Sequence, residues 1–161
     1  MWERCFGDGD DRCGGDDRCD GDDRCDNNDR CGDEGCDAWA FGDSADELAE
    51  LVLQGIKTAT SSAYELYAID SEALPQAGEC SVILDSHDNA VCIIKTTKVY
   101  VTSFDKVSEA HAYKEGEGDR SLAYWREVHE KFFTDCLQEA GLPFSEKMKM
   151  VCEEFEVIYK Q

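Results

Sequence analysis

The chain has 161 residues with an ordinary hydrophobic fraction of 42%, but it carries 10 cysteines and a formal net charge of −21. The length suits one domain with a modest core. The net charge is −9 over residues 1–37 and −12 over residues 38–161, which argues against double-stranded DNA or long RNA as a partner, because such binding uses a broad basic surface. There is no apolar run near the ~20 residues of a membrane span and no apolar core of a signal peptide, so we expect a cytoplasmic protein with mostly reduced thiols.

Residues 1–37 form a low-complexity segment that repeats Asp-Arg-Cys and places Cys13, Cys19, Cys25 and Cys31 six residues apart. Structural zinc sites usually contain close cysteine pairs such as C-x2-C, which this spacing lacks. The segment has almost no large apolar side chains, so it cannot bury a core. We therefore predict a disordered Asp/Gly/Cys-rich tail, with weak metal binding as the alternative, and we expect the protein to have no cofactor and no metal site.

Residues 38–161 have the pattern of a folded domain that opens with a helix. Ser44–Glu47 has the form of a capping box, and apolar residues follow at helical spacing up to Val52. Glycine is the usual residue just beyond a helix end, so Gly55 is expected to stop this helix.

Two β-branched stretches, residues 80–84 and 90–101, predict strands joined by a polar turn. Residues 105–115 then predict a short helix, which Gly116 and Gly118 close. The middle of the domain is therefore expected to be a strand pair followed by a short helix.

The last part of the chain predicts a long helix and a final strand. The helix covers residues 121–139, and its apolar side includes Trp125 and Phe132, so we expect both to be buried. Residues 151–159 alternate like a strand with one solvated face. Short strands interleaved with helices of unequal length predict an α+β fold rather than a doubly wound sheet.

Four stretches of the domain resemble the ASCH family of the PUA-like superfamily. They are WAFGDS at 39–44, GIKTATSS at 55–62, EGEGDRSLAYWREVH at 115–129 and VCEEFEVIY at 151–159. The resemblance implies a small β-barrel with flanking helices and a cleft beside the G-x-K-x-x-T segment. It also implies association with RNA or with modified nucleosides.

The resemblance further implies a catalytic set. The family includes a short amidohydrolase that acts on acetylated cytidine, and its motif residues match Lys57, Thr60 and Glu115. A hydroxyl becomes a good nucleophile when a neighbouring base takes its proton, and a desolvated lysine can serve as that base. Glu115 is expected at the end of the short helix, where the helix dipole disfavours a carboxylate and favours a carboxylic acid that could protonate the departing amine.

Each of these residues also has a structural interpretation. Lys57 can stabilise the C-terminal end of the first helix, and a threonine at position 60 is ordinary in a strand. In a regular strand Lys57 and Thr60 would lie on opposite faces, so they can converge only if the chain is still turning at Lys57. Thr58, Ser61 and Arg120 are candidate ligand-binding residues, and Arg120 could instead help to cap the long helix.

The histidines are not expected to bind metal. His111 and His129 each lie on a predicted helix, and no second metal ligand was identified at helical spacing from either of them.

Three functions remain open at this point. The first is binding of RNA or a small nucleoside, with hydrolysis of an acylated nucleoside such as acetyl-cytidine. The second is RNA cleavage, in which Lys57 and Arg120 would stabilise charge. The third is a non-catalytic RNA-binding module in translational regulation.

Overall fold

The computed structural model describes residues 36–161, so the predicted disordered tail lies almost entirely outside the described residues. This part of the chain contains five strands, four α-helices and one 3-10 turn. In chain order they are β1 (Asp37–Ala40), α1 (Ala45–Leu53), β2 (Ala59–Ala63), α2 (Tyr64–Asp70), β3 (Cys80–Leu84), β4 (Ala90–Ser103), the 3-10 turn (Phe104–Lys106), α3 (Glu109–Glu115), α4 (Leu122–Glu139) and β5 (Lys149–Lys160).

The five strands form one sheet in the order β1-β3-β4-β5-β2. Strands β1 and β3 are parallel, and the other neighbours are antiparallel. The pairing of β4 with β5 shifts register twice, and such irregularities increase the local twist of a sheet. The sheet curls into a half-barrel with the helices around it, which confirms the predicted α+β, PUA-like fold.

Residues 150–153 of strand β5 are buried in succession, so this half of the strand is covered on both faces, contrary to the predicted single solvated face. The strand divides the interior into two cores. On one side Met150 and Cys152 pack in a cluster with Trp125 and Phe133 of α4. On the other side Phe155 packs in a cluster that contains residues of β1, α1, β3 and β4. Strand β2, at the edge of the sheet next to β5, contributes Ala63 to the first of these clusters.

Helix α4 was predicted well in extent but not in its buried face. Trp125 is buried as expected, but Phe132 is only partly buried, and the buried position belongs to Phe133. The buried residues Trp125, His129 and Phe133 recur every four positions, which keeps them on one side of a helix with 3.6 residues per turn. Phe132 lies beside that line and faces a cavity instead.

The predicted capping box of α1 is wrong. Ser44 has a left-handed backbone (φ 49°, ψ 45°), and its side chain makes no capping hydrogen bond. The Asp46 carboxylate instead accepts hydrogen bonds from the backbone nitrogen and the hydroxyl of Ser86, both at 2.8 Å. The first turn of α1 is thus tied to the turn between β3 and β4.

The predicted helix over residues 105–115 is interrupted. The 3-10 turn comes first, and α3 begins only after Ser108, whose side chain accepts a hydrogen bond from His111 N at 3.2 Å. Gly116 ends α3 as expected, with φ 78°. A side chain there would place Cβ 2.7 Å from the carbonyl oxygen of Ile56, so this position also allows α3 to approach the chain before β2.

Within residues 36–161, none of the helices is both long enough and apolar enough to span a membrane.

Candidate functional site

A cavity of about 180 Å³ lies between β2, α4 and the segment that joins β1 to α1. Its walls are largely aromatic and apolar, whereas part of its lining is charged or hydroxylated. The aromatic wall residues are Trp39, Phe41, Tyr124, Phe132 and Phe133, and the polar lining residues include Lys57, Thr60, Ser61, Glu115, Glu117 and His129.

Lys57 enters the cavity from the turn between α1 and β2. Its backbone nitrogen still donates to Leu51 O at 3.0 Å, and β2 begins only at Ala59, so the chain is indeed turning at this residue. The side chain is 1% exposed. Its ammonium donates to Glu115 Oε2 at 3.1 Å and to Glu117 Oε1 at 2.9 Å, and it lies 5.2 Å from the ring centre of Phe41.

Glu115, the last residue of α3, joins the polar groups of the cavity. Its Oε1 accepts hydrogen bonds from Ser61 Oγ at 2.5 Å and from Trp125 Nε1 at 2.9 Å. His111, four residues earlier on α3, places Nε2 3.2 Å from the same oxygen and 2.9 Å from Ser61 Oγ. The expectation that no second metal ligand lies at helical spacing from His111 is wrong, because Glu115 lies four residues later on the same helix.

The second oxygen of Glu115 faces the cations. Besides the contact with Lys57, Glu115 Oε2 lies 3.6 Å from His129 Nε2. His129 Nδ1 is 2.9 Å from the carbonyl oxygen of Trp125, which can only accept, so Nδ1 carries a proton. Glu115, Glu117 and His129 have donor atoms within 4.8 Å of one another, a grouping that could hold a metal ion. In this structure the ammonium of Lys57 contacts both carboxylates.

The charge states of the buried pair differ from those expected of a resting base and acid. Burial alone disfavours the ammonium, but Glu115 and Glu117 outweigh burial and raise the pKa of Lys57. Burial likewise favours protonated Glu115, but Lys57 and His129 hold the pKa of this carboxyl well below its usual range. The helix dipole was expected to keep Glu115 protonated, but a dipole contributes only roughly 0.3–1 kcal/mol. The attraction of a buried ammonium in direct contact is larger and favours the carboxylate.

His111 is also strongly perturbed. Burial lowers its pKa, but hydrogen bonds with Cys152 and Glu115 more than compensate and raise the pKa to about 9. Its Nδ1 is buried and has no hydrogen-bond partner among the described residues. An unpaired buried polar atom is costly, so the contacts of Nε2 must stabilise this ring position.

Strand β2 carries three hydroxyls, of which Ser62 Oγ is hydrogen-bonded to the Tyr67 hydroxyl at 2.7 Å. Successive side chains of a strand point to opposite faces, and Ser61 is paired with Cys152 whereas Thr60 is paired with Glu153. Ser61 is fully engaged with Glu115 and His111. Thr60 lies on the face of β2 opposite to Ser61, at the edge of the cavity, and its hydroxyl makes no hydrogen bond to any described residue.

Comparison with known proteins identifies the domain. The sequence model of the ASCH domain matches residues 37–159. This chain belongs to the ASCH family. The match covers all four stretches that carry the resemblance, and it begins at Asp37, the first residue of β1.

Two solved structures resemble this ASCH domain over most of their length. The ASCH domain from Lactobacillus crispatus JV V101 shares 38% identity, covers 76% of this chain and 79% of its own, and has a TM-score of 0.73. A protein from Enterococcus faecalis V583, of the family DUF984, shares 41% identity, covers 77% of both chains and has a TM-score of 0.72. A comparison with curated proteins found no match.

The cavity of this ASCH domain contains some of the predicted site residues and not others. Lys57, Thr60, Ser61 and Glu115 line it together, but Thr58 and Arg120 do not. Thr58 Oγ1 is 3.5 Å from Lys114 O. Arg120 donates to Tyr113 O at 3.0 Å and to Ile56 O at 3.4 Å, and its guanidinium lies 3.6 Å from the ring centre of Tyr113. The guanidinium is thus engaged by helix α3 and by the turn before β2.

Sequence reasoning missed four polar groups of the site: Glu117, His111, His129 and the indole nitrogen of Trp125. His129 was set aside as an isolated helical histidine, but it stands one turn after Trp125 on the buried face of α4 and stacks on that indole at 4.3 Å between ring centres. A polar residue on the otherwise apolar face of a helix was the available signal. Glu117 gave no local signal beyond its place in EGEGD.

Proposed function

We propose that this ASCH domain binds a single nucleoside, free or within RNA, and hydrolyses an acyl amide on its base, as in acetyl-cytidine. The observation that carries the proposal is the buried Lys57–Glu115 pair beside the unengaged Thr60 hydroxyl, all in one cavity with aromatic walls. Such perturbed buried ionisable groups in a concave site are typical of reactive sites.

The shape and charge of the cavity favour a small ligand. Aromatic side chains offer flat surfaces on which a base can stack. The volume of about 180 Å³ is below the range usual for drug-sized ligands, which suits one base better than several. A net charge of −12 over residues 38–161 disfavours extensive phosphate contacts.

The proposed reaction has two stages. The Thr60 hydroxyl attacks the carbonyl carbon, its proton passes to a base, the C–N bond breaks, and the departing amine takes up a proton. Water then hydrolyses the resulting acyl ester on Thr60. The nucleophile is thus restored, and one amide and one water yield an amine and a carboxylic acid.

Lys57 must lose its proton before it can act as the base. Transfer of a proton from Lys57 Nζ to Glu115 Oε2, which are 3.1 Å apart, produces a neutral amine and a carboxylic acid in one step. Burial disfavours both charges and therefore favours this transfer. Glu117 opposes it, because its carboxylate stabilises the Lys57 ammonium. A ligand that separates Glu117 from Lys57 would make the base available.

The deciding experiment compares Thr60→Val with Thr58→Val, since the two residues are near neighbours and only Thr60 lines the cavity. With acetyl-cytidine as substrate, Thr60→Val should abolish turnover, and Thr58→Val should retain it. Equal activity of the two variants would overturn Thr60 as nucleophile. Absence of turnover by pure wild-type protein would overturn hydrolysis of this substrate.

A short RNA assayed alongside distinguishes the other functions. Cleavage of RNA that survives Thr60→Val but not loss of Lys57 would indicate a ribonuclease. Binding of either substrate without turnover would indicate a binding module. The engagement of Arg120 with α3 and with the turn before β2 supports neither of its predicted roles in ligand binding or charge stabilisation.

A further inference from the structure

Glu117 differs from Lys57 and Glu115 in its access to the cavity. The side chains of Lys57 and Glu115 are each 1% exposed, whereas that of Glu117 is 18% exposed, so an entering ligand reaches Glu117 more easily. Its Oε1 accepts a hydrogen bond from Lys57 Nζ at 2.9 Å, and its Oε2 makes no hydrogen bond to any described residue. Because Glu117 lines the cavity, it offers a ligand a carboxylate acceptor that the described part of the chain leaves unused.

The loop that carries Glu117 is fixed on both sides. Before it, Gly116 lies close to the carbonyl oxygen of Ile56, in the turn that precedes β2. After it, Gly118 has φ 55°, and a side chain there would place Cβ 2.4 Å from the ring of Tyr124, an aromatic wall residue of the cavity. These close approaches hold Glu117 between the turn before β2 and the aromatic wall.

We propose that Glu117 determines which nucleobase the cavity binds, by accepting a hydrogen bond from an exocyclic N–H of that nucleobase. A carboxylate has acceptors only, so it pairs with an amino or amide N–H and repels a carbonyl oxygen. The preferred ligand therefore carries nitrogen at this position, as cytosine does at C4, and a ligand with oxygen there, such as uracil, is disfavoured. This role rests on the nucleoside site proposed above and adds to it a residue that discriminates between nucleobases.

The same contact brings the exocyclic nitrogen close to Lys57. Glu117 Oε1 and Lys57 Nζ are 2.9 Å apart, so an N–H that binds Glu117 lies beside the ammonium. The ligand then shares the carboxylate with Lys57 and weakens the contact that helps to keep this residue protonated. A ligand without the N–H leaves that contact intact. Recognition of the nucleobase and deprotonation of Lys57 are thereby coupled through Glu117.

The test is calorimetric titration of the full chain at neutral pH with cytidine, with uridine and with the riboside of pyrimidin-2-one. The last compound lacks the 4-amino group of cytidine but keeps the rest of its ring. Glu117→Leu removes the acceptor, and Glu117→Gln replaces one carboxylate oxygen by an amide nitrogen that can donate. Glu127→Leu is the matched control, because Glu127 is an exposed residue of α4 that does not line the cavity.

We expect wild type and Glu127→Leu to bind cytidine about tenfold more tightly than the pyrimidin-2-one riboside, since the latter cannot donate to a charged acceptor. Glu117→Leu should bind these two compounds equally. Glu117→Gln should bind uridine more tightly than wild type does, because its amide can donate to the 4-carbonyl, and a folding defect cannot produce such a gain. Failure of wild type to bind cytidine, its equal binding of cytidine and the pyrimidin-2-one riboside, or a preference that persists in Glu117→Leu would overturn the proposal.

The result is independent of the hydrolysis assay, because none of these three nucleosides carries an acyl group. A cytidine preference that depends on Glu117, without turnover of acetyl-cytidine, would support this role and overturn the proposed hydrolysis. Turnover of acetyl-cytidine without such a preference would support the hydrolysis and overturn this role of Glu117.

Discussion

Replacing Lys57 by methionine tests the energetics of the buried pair directly. Methionine keeps most of the side-chain volume but removes the ammonium, which leaves the carboxylates of Glu115 and Glu117 without their shared cation. Both members of the Lys57–Glu115 pair are 1% exposed, so water cannot replace the lost contacts. Breaking a buried pair in this way costs about 3–5 kcal/mol.

The matched control is Lys131→Met. Lys131 and Asp135 form an ion pair of nearly the same length, 3.2 Å, but their side chains are 82% and 55% exposed. An exposed pair of this kind contributes roughly 0–1 kcal/mol. The contrast between the two variants therefore isolates the effect of burial from the effect of distance.

Urea denaturation followed by circular dichroism measures the free energy of unfolding of both variants. At roughly 4 °C per kcal/mol, Lys57→Met should also lower the thermal midpoint by about 12–20 °C. The pH dependence has a definite sign. The stabilisation due to Glu115 is present above the usual pKa of this carboxyl and is lost as the pH falls through the lowered value. The stabilisation due to Lys57 is lost only as the pH rises through the raised pKa of its ammonium. The deficit of Lys57→Met should therefore be greatest between about pH 5 and 10. Equal destabilisation by Lys57→Met and Lys131→Met would refute this reasoning.

Three further predictions concern other parts of the chain. Trp125→Ala should lower the free energy of unfolding by roughly 3–5 kcal/mol, clearly more than Phe132→Ala in the same urea assay, and the reverse order would contradict the packing of α4. Glu117→Gln should lower the pKa of Lys57, so the alkaline rise of kcat/KM for acetyl-cytidine should move to lower pH; an unchanged profile would argue against Lys57 as the base. Deletion of residues 1–35 should leave the thermal midpoint of the remaining domain nearly unchanged, because that segment has no apolar face to bury, and a large fall would disprove its dispensability.

The elements predicted from the sequence were those with a strong local pattern. Residues 80–84 form β3 as expected, and α4 differs from its prediction by one residue at its start. Strand β1 was missed because four residues are too few to show an alternating pattern, and its pairing partner β3 is about forty residues away. The turn at Ser44 could not be foreseen either, because its conformation depends on contacts made after folding.

The candidate site was predictable only in part for a similar reason. The motif around Lys57 and Thr60 is local, so its resemblance to a family could be recognised. The charge states of Lys57 and Glu115 depend on burial and on neighbours 58 and 60 residues apart along the chain. The spacing of residues along the chain does not show which distant residues meet in the fold. The expectations of a lowered pKa for Lys57 and of a protonated Glu115 were therefore wrong.

The strand order also has a consequence for biosynthesis. Strand β5, the last element of the chain, lies between β4 and β2 in the sheet. Strand β2, which carries Thr60 and Ser61, therefore has no sheet partner until residues 149–160 have left the ribosome. Until then the edges of β4 and β2 remain unpaired, a state that favours aggregation. A nascent or truncated chain that stops before β5 should therefore depend on chaperones.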